Sequence, residues 1–526
     1  MSQPLVLYDL AGSTPLKAWN IHTWKARLAL NIKGVSYKTI WLEYPDIADL
    51  CKKISAGPNG TRGGQPLYTV PILQDPNTGT VVVDSFKIAE YLDAKYPNTP
   101  RLIPDGTKAF QAMFRDVFEE KVTWSMMEVV AGKLVTQLPP RSETYWRAGI
   151  EGFVGKKAEE IAPEGPLKDA AWKKVVDTLG AVQGWASQNE KGAFIMGDKV
   201  SFADLAVMGP LMWLKAVEGV ESKEWKELVK INDGRWGRLV EAFAPVQVAQ
   251  HPDLDTFKQE RTSPFALRAY FQSSMSQALL LYDIPGTASA AKAWSPNVWK
   301  ARFGLNIKSI PYKTVWVEYP DIEHVCKTIG AEPTGTRFGK PVYTLPVIQD
   351  PNTGAVVADS FKIAAYLDAT YPNTISLFPD ETKVFQTMFL QTFEDNVIWA
   401  ILQLVARPMM NQLLPRSLVY WRDGAEKAFG KKVEELAPEG PERDALWKKV
   451  VDSLGAAHKW ASENPAGVFM MGDRVSFADI VIAAELQWLK TMNGTESMEW
   501  KEILEIDDGR WARLFEVFIK WERVDE

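Results

Sequence analysis

The chain has 526 residues, 46% hydrophobic and 24% charged, with a formal net charge of −6. That is ordinary soluble globular composition with length for several cores. No long basic run points to nucleic acid, and the longest apolar stretch, near Val397–Ala406, is too short to span a bilayer.

The opening residues, MSQPLVLYDL, lack the basic-then-apolar pattern of a signal peptide, so the expected location is cytoplasmic. Leu5–Leu10 reads as a short strand. Thr23–Ile32 reads as a helix with Trp24, Leu28 and Ile32 on one side. Tyr37–Tyr44 is a second strand and Asp46–Ile54 a second helix. A loop with Gly57, Gly60, Gly63 and Gly64 leads into Tyr68. Ile72-Leu73 and Val81-Val82-Val83 flank Asp-Pro-Asn-Thr-Gly, which is turn chemistry, so they read as a hairpin. Asp84-Ser85 then opens a helix whose apolar face is Ile88, Ala89 and Leu92, and Pro97 ends it. The order β-α-β-α-β-β-α predicts a mixed sheet with helices on both faces.

From Arg101 the pattern changes to long helices, expected at Thr107–Leu134, Ser142–Ile161, Leu167–Gln188, Ser201–Val217 and Glu221–Phe243. Ser201-x-x-Asp204 is a capping box in outline, with Val200 and Leu205 placed as a hydrophobic staple.

The whole arrangement then recurs. LVLYDL at Leu5 returns as LLLYDI at Leu279, and after one inserted residue the landmarks match at an offset of 275. Trp24-Lys25 matches Trp299-Lys300, Asp84-Ser85 matches Asp359-Ser360, and Ser201-Phe202-Ala203-Asp204 matches Ser476-Phe477-Ala478-Asp479. Met1-Ser2-Gln3 also recurs, as Met275-Ser276-Gln277, as if two reading frames had been joined. The expected domains are 1–97 (α/β) and 98–251 (all-α), a linker at 252–274, then 275–372 (α/β) and 373–526 (all-α).

The two cysteines, Cys51 and Cys326, occupy equivalent places and no C-x-x-C is present, so dithiol exchange is not expected. The four histidines show no ligand spacing, so no metal site is expected. His22 reads as a solvent-facing loop residue.

Val70-Pro71, a hairpin, then Asp84-Ser85 at a helix start resembles the glutathione-binding half of the glutathione transferase family, a thioredoxin-like domain. The phrase Gly197-Asp198-x-x-Ser201-x-Ala203-Asp204, repeated from Gly472 to Asp479, matches that family's helical domain independently. The resemblance implies a cis Pro71 and Pro346, although an X-Pro bond taken alone is usually trans. It implies that Val70 and Leu345 offer backbone groups to the cysteinyl part of glutathione. It assigns Asp84 and Ser85, and Asp359 and Ser360, to the γ-glutamyl end. Read from the residues alone, Asp-Ser before a helix is a cap. The glycine carboxylate would fall to Arg62 and Gln65, and to Arg337 and Lys340, which read equally well as solvated surface.

Thiolate formation needs a donor at the start of the first helix, because a free thiol is ionised only to a few per cent at neutral pH. Trp294-Ser295-Pro296-Asn297-x-Trp299-Lys300, followed by Tyr319-Pro320-Asp321-Ile322, looks like the fungal etherase-like transferases. They are relatives of bacterial enzymes that cleave β-aryl ethers. The resemblance makes Ser295 the thiolate donor and Asn297 its neighbour, while the residues alone read as a Ser cap with Pro at the first helical position. The first copy departs from the motif. Asn20, Ile21 and His22 replace Ser, Pro and Asn, leaving Asn20 or Thr23 as the donor. The electrophile pocket is expected beside the first long helix, at Trp124, Met126 and Met127, and at Trp399, Ile401 and Leu402.

The implied activity is conjugation of glutathione to hydrophobic aromatic electrophiles, or cleavage of aryl ethers, by units that need not be equal. Two alternatives use the same fold: a glutathione-dependent carrier of aromatic ligands, or a regulatory scaffold. The implied co-substrate is glutathione, with no metal, nucleic acid or membrane partner. Pairing would be an intramolecular pseudo-dimer or a homodimer.

Overall fold

A computed structural model of the chain describes residues 3–13, 17–189, 192–248, 277–287, 292–337, 339–464 and 466–524. The chain divides into two units, Met1–Thr262 and Ser263–Glu526. The linker expected at 252–274 and the second Met-Ser start lie outside the described residues.

In the first unit β1 (Leu5–Leu10) is buried along its whole length, as a strand covered on both faces must be. It pairs in parallel with β2 (Tyr37–Leu42) after a crossover through α1 (Ile21–Ile32). A 3-10 turn at Tyr44–Asp46 leads to α2 (Ile47–Lys53). The glycine-rich loop is not structureless: β3 (Thr61–Arg62) and β4 (Gln65–Pro66) pair there as a small exposed hairpin. Next come β5 (Ile72–Asp75), antiparallel to β1, β6 (Thr80–Val83) and α3 (Ser85–Lys95). The sheet order is β2-β1-β5-β6. Val70-Pro71 is cis, as the resemblance implies.

The helical part holds α4 (Lys108–Val135), α5 (Pro140–Val154), α6 (Ala158–Ile161), α7 (Pro166–Ala186), α8 (Phe202–Val217), α9 (Lys223–Leu228) and α10 (Ile231–Val248). Two expected helices are each broken in two. Gly155 at φ +73 stops α5, so the span expected at Ser142–Ile161 becomes α5 and α6. Likewise Glu221–Phe243 becomes α9 and α10, with Asn232, Asp233 and Gly234 left-handed near the start of α10.

Helix α8 is buried on nearly every side, and its start carries the full capping box. Asp204 accepts from the Ile195 N–H at 2.6 Å, the Ser201 N–H at 2.8 Å and the Ser201 hydroxyl at 3.1 Å. The same helix approaches the start of α1 at Gly209, where a Cβ would lie 2.7 Å from the Ile21 carbonyl oxygen.

The second unit repeats this plan. It has β7 (Leu279–Asp283), α11 (Pro296–Ile307), β8 (Tyr312–Trp316), α12 (Ile322–Ile329), β9 (Gly335–Arg337), β10 (Lys340–Val342), β11 (Val347–Asp350), β12 (Ala355–Ala358) and α13 (Ser360–Thr370). The sheet order is β12-β11-β7-β8, and Leu345-Pro346 is cis. Its helices are α14 (Lys383–Phe393), α15 (Trp399–Met410), α16 (Pro415–Phe429), α17 (Pro441–Ala461), α18 (Phe477–Asn493) and α19 (Met498–Ile519). One difference is large. Where α4 runs unbroken, α14 and α15 are joined by a π turn at Glu394–Ile398. Such turns insert one extra residue into the helical ladder and re-aim the side chains around it.

Among the described residues, no helix is long and apolar enough to cross a membrane.

Candidate active site

The first turn of α1 is set by Asn20. Its Oδ1 accepts from the N–H groups of His22 and Thr23, both at 3.0 Å. An amide has separate acceptor and donor atoms, so capping through Oδ1 leaves the Nδ2 hydrogens uncommitted. Thr23 is not placed as the alternative thiolate donor expected of it. It is fully buried, and its hydroxyl donates to Asn20 Oδ1 at 3.2 Å. Thr23 therefore steadies the cap and is not presented to the cleft.

The second unit solves the same helix start in another way. Ser295 stands at the N-cap of α11 but makes no side-chain cap hydrogen bond, which corrects its reading as a cap. Pro296 presets the first helical φ there. The Ser295 side chain is buried, and among the described residues its hydroxyl has no hydrogen-bond partner.

Behind each helix start lies a buried lysine that sequence reading did not single out. Lys25 ion-pairs with Glu119 of α4, and its Nζ is 3.1 Å from His22 Nδ1. Lys300 donates to Glu394 at 2.7 Å and to Asn297 Oδ1 at 3.1 Å, and lies 3.3 Å from Glu485 of α18. Burial works against the Lys300 charge, but Glu485 and Glu394 outweigh it and hold its pKa above the usual lysine range. Burial pushes Glu485 up to about 7, with Lys300 pulling the other way. At the place of Glu485 the first unit has Pro210, inside α8. The only sequence signal for these lysines was a Lys repeated on the apolar side of the same helix in both copies.

Asp84 and Asp359 cap α3 and α13 from a positive φ, at +87 and +84. In each, Oδ1 takes both cap bonds: from Phe86 and Lys87 at 2.9 and 3.2 Å, and from Phe361 and Lys362 at 3.0 Å each. Among the described residues the second carboxylate oxygen has no hydrogen-bond partner. Ser85 and Ser360 are buried at the first helical position, where N–H groups lack intrahelical partners. Val70 and Leu345, just before the cis prolines, have no backbone hydrogen-bond partner among the described residues. An unpaired backbone edge of this kind can receive an extended peptide.

In the first unit the start of α1 borders a cleft of about 480 Å³, where Asn20 and His22 meet Trp19, Arg62, Glu119 and Trp124, among others; Val70, Asp84 and Ser85 do not line it. His22 is therefore a cleft residue, correcting its reading as solvent-facing. Burial, and then Lys25, push its pKa down to about 4, against the pull of Glu119 and Asp84. Arg62 reaches the cleft from the β3–β4 hairpin, whereas Gln65, its register partner, is exposed and does not line it. Arg337 and Lys340 pair on the equivalent hairpin, both exposed.

The cleft adjoins an aromatic groove of about 720 Å³ with Tyr44, Trp124, Tyr145, Trp146 and Phe153 in its walls. Tyr44 and Tyr145 stack with centroids 5.6 Å apart, and Trp124 meets Phe153 edge-on at 5.5 Å. Trp124 and Met127 line the cleft as expected, but Met126 is in the core. In the second unit Trp399 is exposed against Phe429, Leu402 is partly buried and Ile401 is core. Among the described residues no group of His, Cys, Asp and Glu could hold a metal ion, and both cysteines are buried and free.

A thioredoxin-like domain with a cis proline, joined to a helical domain with a capping box, defines a class of glutathione-handling folds. The family models agree. The glutathione S-transferase N-terminal domain matches residues 21–95 and 294–370, and the C-terminal domain matches 109–245 and 384–521, which is more than half of the chain. The chain belongs to the glutathione S-transferase family and carries both of its domains twice, in tandem. A curated relative, the glutathione S-transferase-like protein ustS of Aspergillus flavus, is 28% identical over 257 residues, 45% of this chain and 87% of the relative. A glutathione S-transferase of Ceriporiopsis subvermispora, solved in complex with glutathione, is 44% identical, covering 48% of this chain and all of that one, with a TM-score of 0.46. The beta-etherase LigF of Sphingobium sp. strain SYK-6 is 19% identical, covering 46% of this chain and 97% of its own, with a TM-score of 0.32.

Proposed function

We propose that the chain is a glutathione transferase with two sites that differ in chemistry. Each would bind glutathione along the open backbone edge at Val70 or Leu345. The ammonium of its γ-glutamyl end would meet the free oxygen of Asp84 or Asp359, and its carboxylate the helix start at Ser85 or Ser360. Arg62, which lines the cleft, and by equivalence Arg337 with Lys340, would serve the glycine carboxylate. The thiolate would then attack an aromatic electrophile or displace an aryl ether. Ether cleavage rests on the Trp294-Ser295-Pro296-Asn297 motif.

The observation that carries this reading is the uncommitted donor at each helix start, the Ser295 hydroxyl in one unit and the Asn20 amide in the other. A hydrogen bond to an anion contributes about 1.5–3 kcal/mol. That would lower a thiol pKa by roughly 1–2 units, enough to ionise a sizeable fraction at neutral pH. Asn297 stands one helical residue beyond Pro296 and is exposed beside Ser295.

The test is glutathione-dependent turnover of a chloroarene and a fluorogenic β-aryl ether by the full chain, Ser295→Ala, Asn20→Ala and the double variant. Each single variant should lose part of the rate, and the double variant should fall at least ten-fold. Equal rates in all four would place the thiolate donor elsewhere.

The aromatic groove of the first unit favours a second reading, in which that unit carries aromatic ligands with glutathione bound and little turnover. Stoichiometric ligand binding that persists in Asn20→Ala, with no rate lost, would support it.

A further inference from the structure

The residue two places after each helix cap is His22 in one unit and Asn297 in the other. Both are tied to the buried lysine of their own helix, at 3.1 Å in each case. An ammonium has donors only, so the tied atom must be an acceptor. In His22 that atom is Nδ1. A neutral imidazole that accepts at Nδ1 carries its proton on Nε2. In Asn297 the tied atom is Oδ1, which leaves the amide hydrogens. Different side chains are thus turned the same way, with the acceptor end inward and the donor end outward. The lysine that does this is held by a carboxylate from the helical domain, Glu119 or Glu394.

In the first unit the outward end belongs to a cleft residue, close to Asn20 and Arg62. The charged groups that face His22 are Lys25 on its own helix, Glu119 on α4 and Asp84 at the start of α3. Burial and Lys25 outweigh the pull of Glu119 and Asp84 and keep the ring neutral through the physiological range, its pKa pushed down to about 4. A neutral imidazole near a helix N-terminus is a good donor to a carbonyl that gains negative charge, because it gives a hydrogen bond without giving up a proton.

We propose that Lys25 and Lys300 are positioning residues that present a second N–H donor at each thiolate site, and that in the first unit this donor, His22 Nε2–H, favours electrophiles with a carbonyl conjugated to the reacting carbon. This rests on the transferase reading. The glutathione sulfur bonds to the β-carbon of the conjugated double bond. The π electrons move to the carbonyl oxygen as an enolate. His22 hydrogen-bonds that oxygen and keeps its own proton. The α-carbon then takes a proton from water, and the hydroxide left behind is neutralised by the proton released when the thiol ionised. The net change is addition of the thiol across the double bond, with nothing oxidised or reduced. A chloroarene, which has no carbonyl conjugated to the reacting carbon, gains less from this donor.

Two measurements test it. The first is the ring nitrogen–hydrogen correlation spectrum of the full chain with labelled histidine, four residues in all, His22 being assigned by its loss in His22→Gln. The expected pattern is a neutral Nε2–H ring from pH 5 to 8, lost as a fixed tautomer in Lys25→Met. An Nδ1–H pattern, or ordinary titration near 6.5, would overturn the proposal. The second is kcat/KM for an aryl vinyl ketone and for a chloroarene in a Ser295→Ala background. His22→Phe should lower the ketone-to-chloroarene ratio about ten-fold, and His22→Asn, which should fold whatever the fate of Lys25→Met, should restore most of it. Equal losses on both substrates, or no rescue by Asn, would overturn the assignment. No turnover of either substrate would sink the transferase reading and the selectivity with it, while the tautomer spectrum still reports on the lysine's role.

Discussion

Asp84 offers a clean separation of fold from binding, because its two oxygens have different partners. Oδ1 takes both cap bonds, from Phe86 and Lys87. The other oxygen is the one proposed to meet the ammonium of glutathione. Asp84→Asn keeps a carbonyl for the cap and suits the φ of +87, since Asn tolerates positive φ. It replaces the free oxygen with an NH₂ that cannot accept. The expected loss is one charge-assisted hydrogen bond, about 1.5–3 kcal/mol, or roughly 10- to 150-fold in Kd. Stability should fall by less than about 0.5 kcal/mol, because the cap survives. Asp84→Ala should lose the same affinity and, in addition, roughly 1 kcal/mol for the cap and 1 kcal/mol for Ala at positive φ. Calorimetric titration of the full chain with glutathione reads the affinity, and thermal unfolding reads the stability. Asp84→Asn should weaken one of two sites, and Asp84→Asn with Asp359→Asn should weaken both. Unchanged affinity in the Asn variant, or a destabilisation as large as in the Ala variant, would refute the division of labour between the oxygens.

Asp204→Ala removes the acceptor for two buried backbone N–H groups, those of Ile195 and Ser201, and should cost about 2–4 kcal/mol in urea unfolding of the first unit. Asp479→Ala should do the same to the second unit, where the Met470 and Ser476 N–H groups are orphaned. Gly209→Ala drives a Cβ against the Ile21 carbonyl oxygen, and should cost roughly 1–3 kcal/mol and lower turnover assigned to Asn20, because the start of α1 must shift. Glu485 has its pKa raised by burial from 4.5 to about 7, so the folded chain holds this proton more tightly than the unfolded one. The stability it contributes is present below about pH 4.5 and is lost as pH rises through 7, by on the order of 3 kcal/mol. Urea unfolding at pH 5 and 7.5 should show this slope in the second unit, and Glu485→Gln should flatten it.

The cis prolines came from the family resemblance, since Val70-Pro71 taken alone reads as trans. The sheet and the capping box were legible because each is written in a few adjacent residues, Asp-Pro-Asn-Thr-Gly and Ser201-x-x-Asp204. The helix breaks at Gly155 and Asn232 were not, since a single Gly or Asn in a polar run also fits a helix interior. Nor was the π turn at Glu394–Ile398, which leaves no mark on composition. His22 was misread for a related reason. Its environment comes from Lys25 and from Glu119, which lies 94 residues beyond that lysine. Periodicity reports which face of a helix is apolar, but not which distant carboxylate lies against it. Ser295 shows the converse limit. Sequence places it correctly at a helix start, but whether its hydroxyl is spent on the cap is a matter of geometry.

That last point bears on how a duplicated chain can diverge. The residue at 20 accepts two cap bonds through one atom of its amide and keeps the other atom as a donor. The residue at 295 makes no cap bond, and its hydroxyl keeps its proton as well. A serine placed at 20 would accept the cap bonds and still carry a proton to donate, so either residue type satisfies both demands at this helix start. The two copies can therefore drift apart at this position by single exchanges, with neither losing its donor on the way.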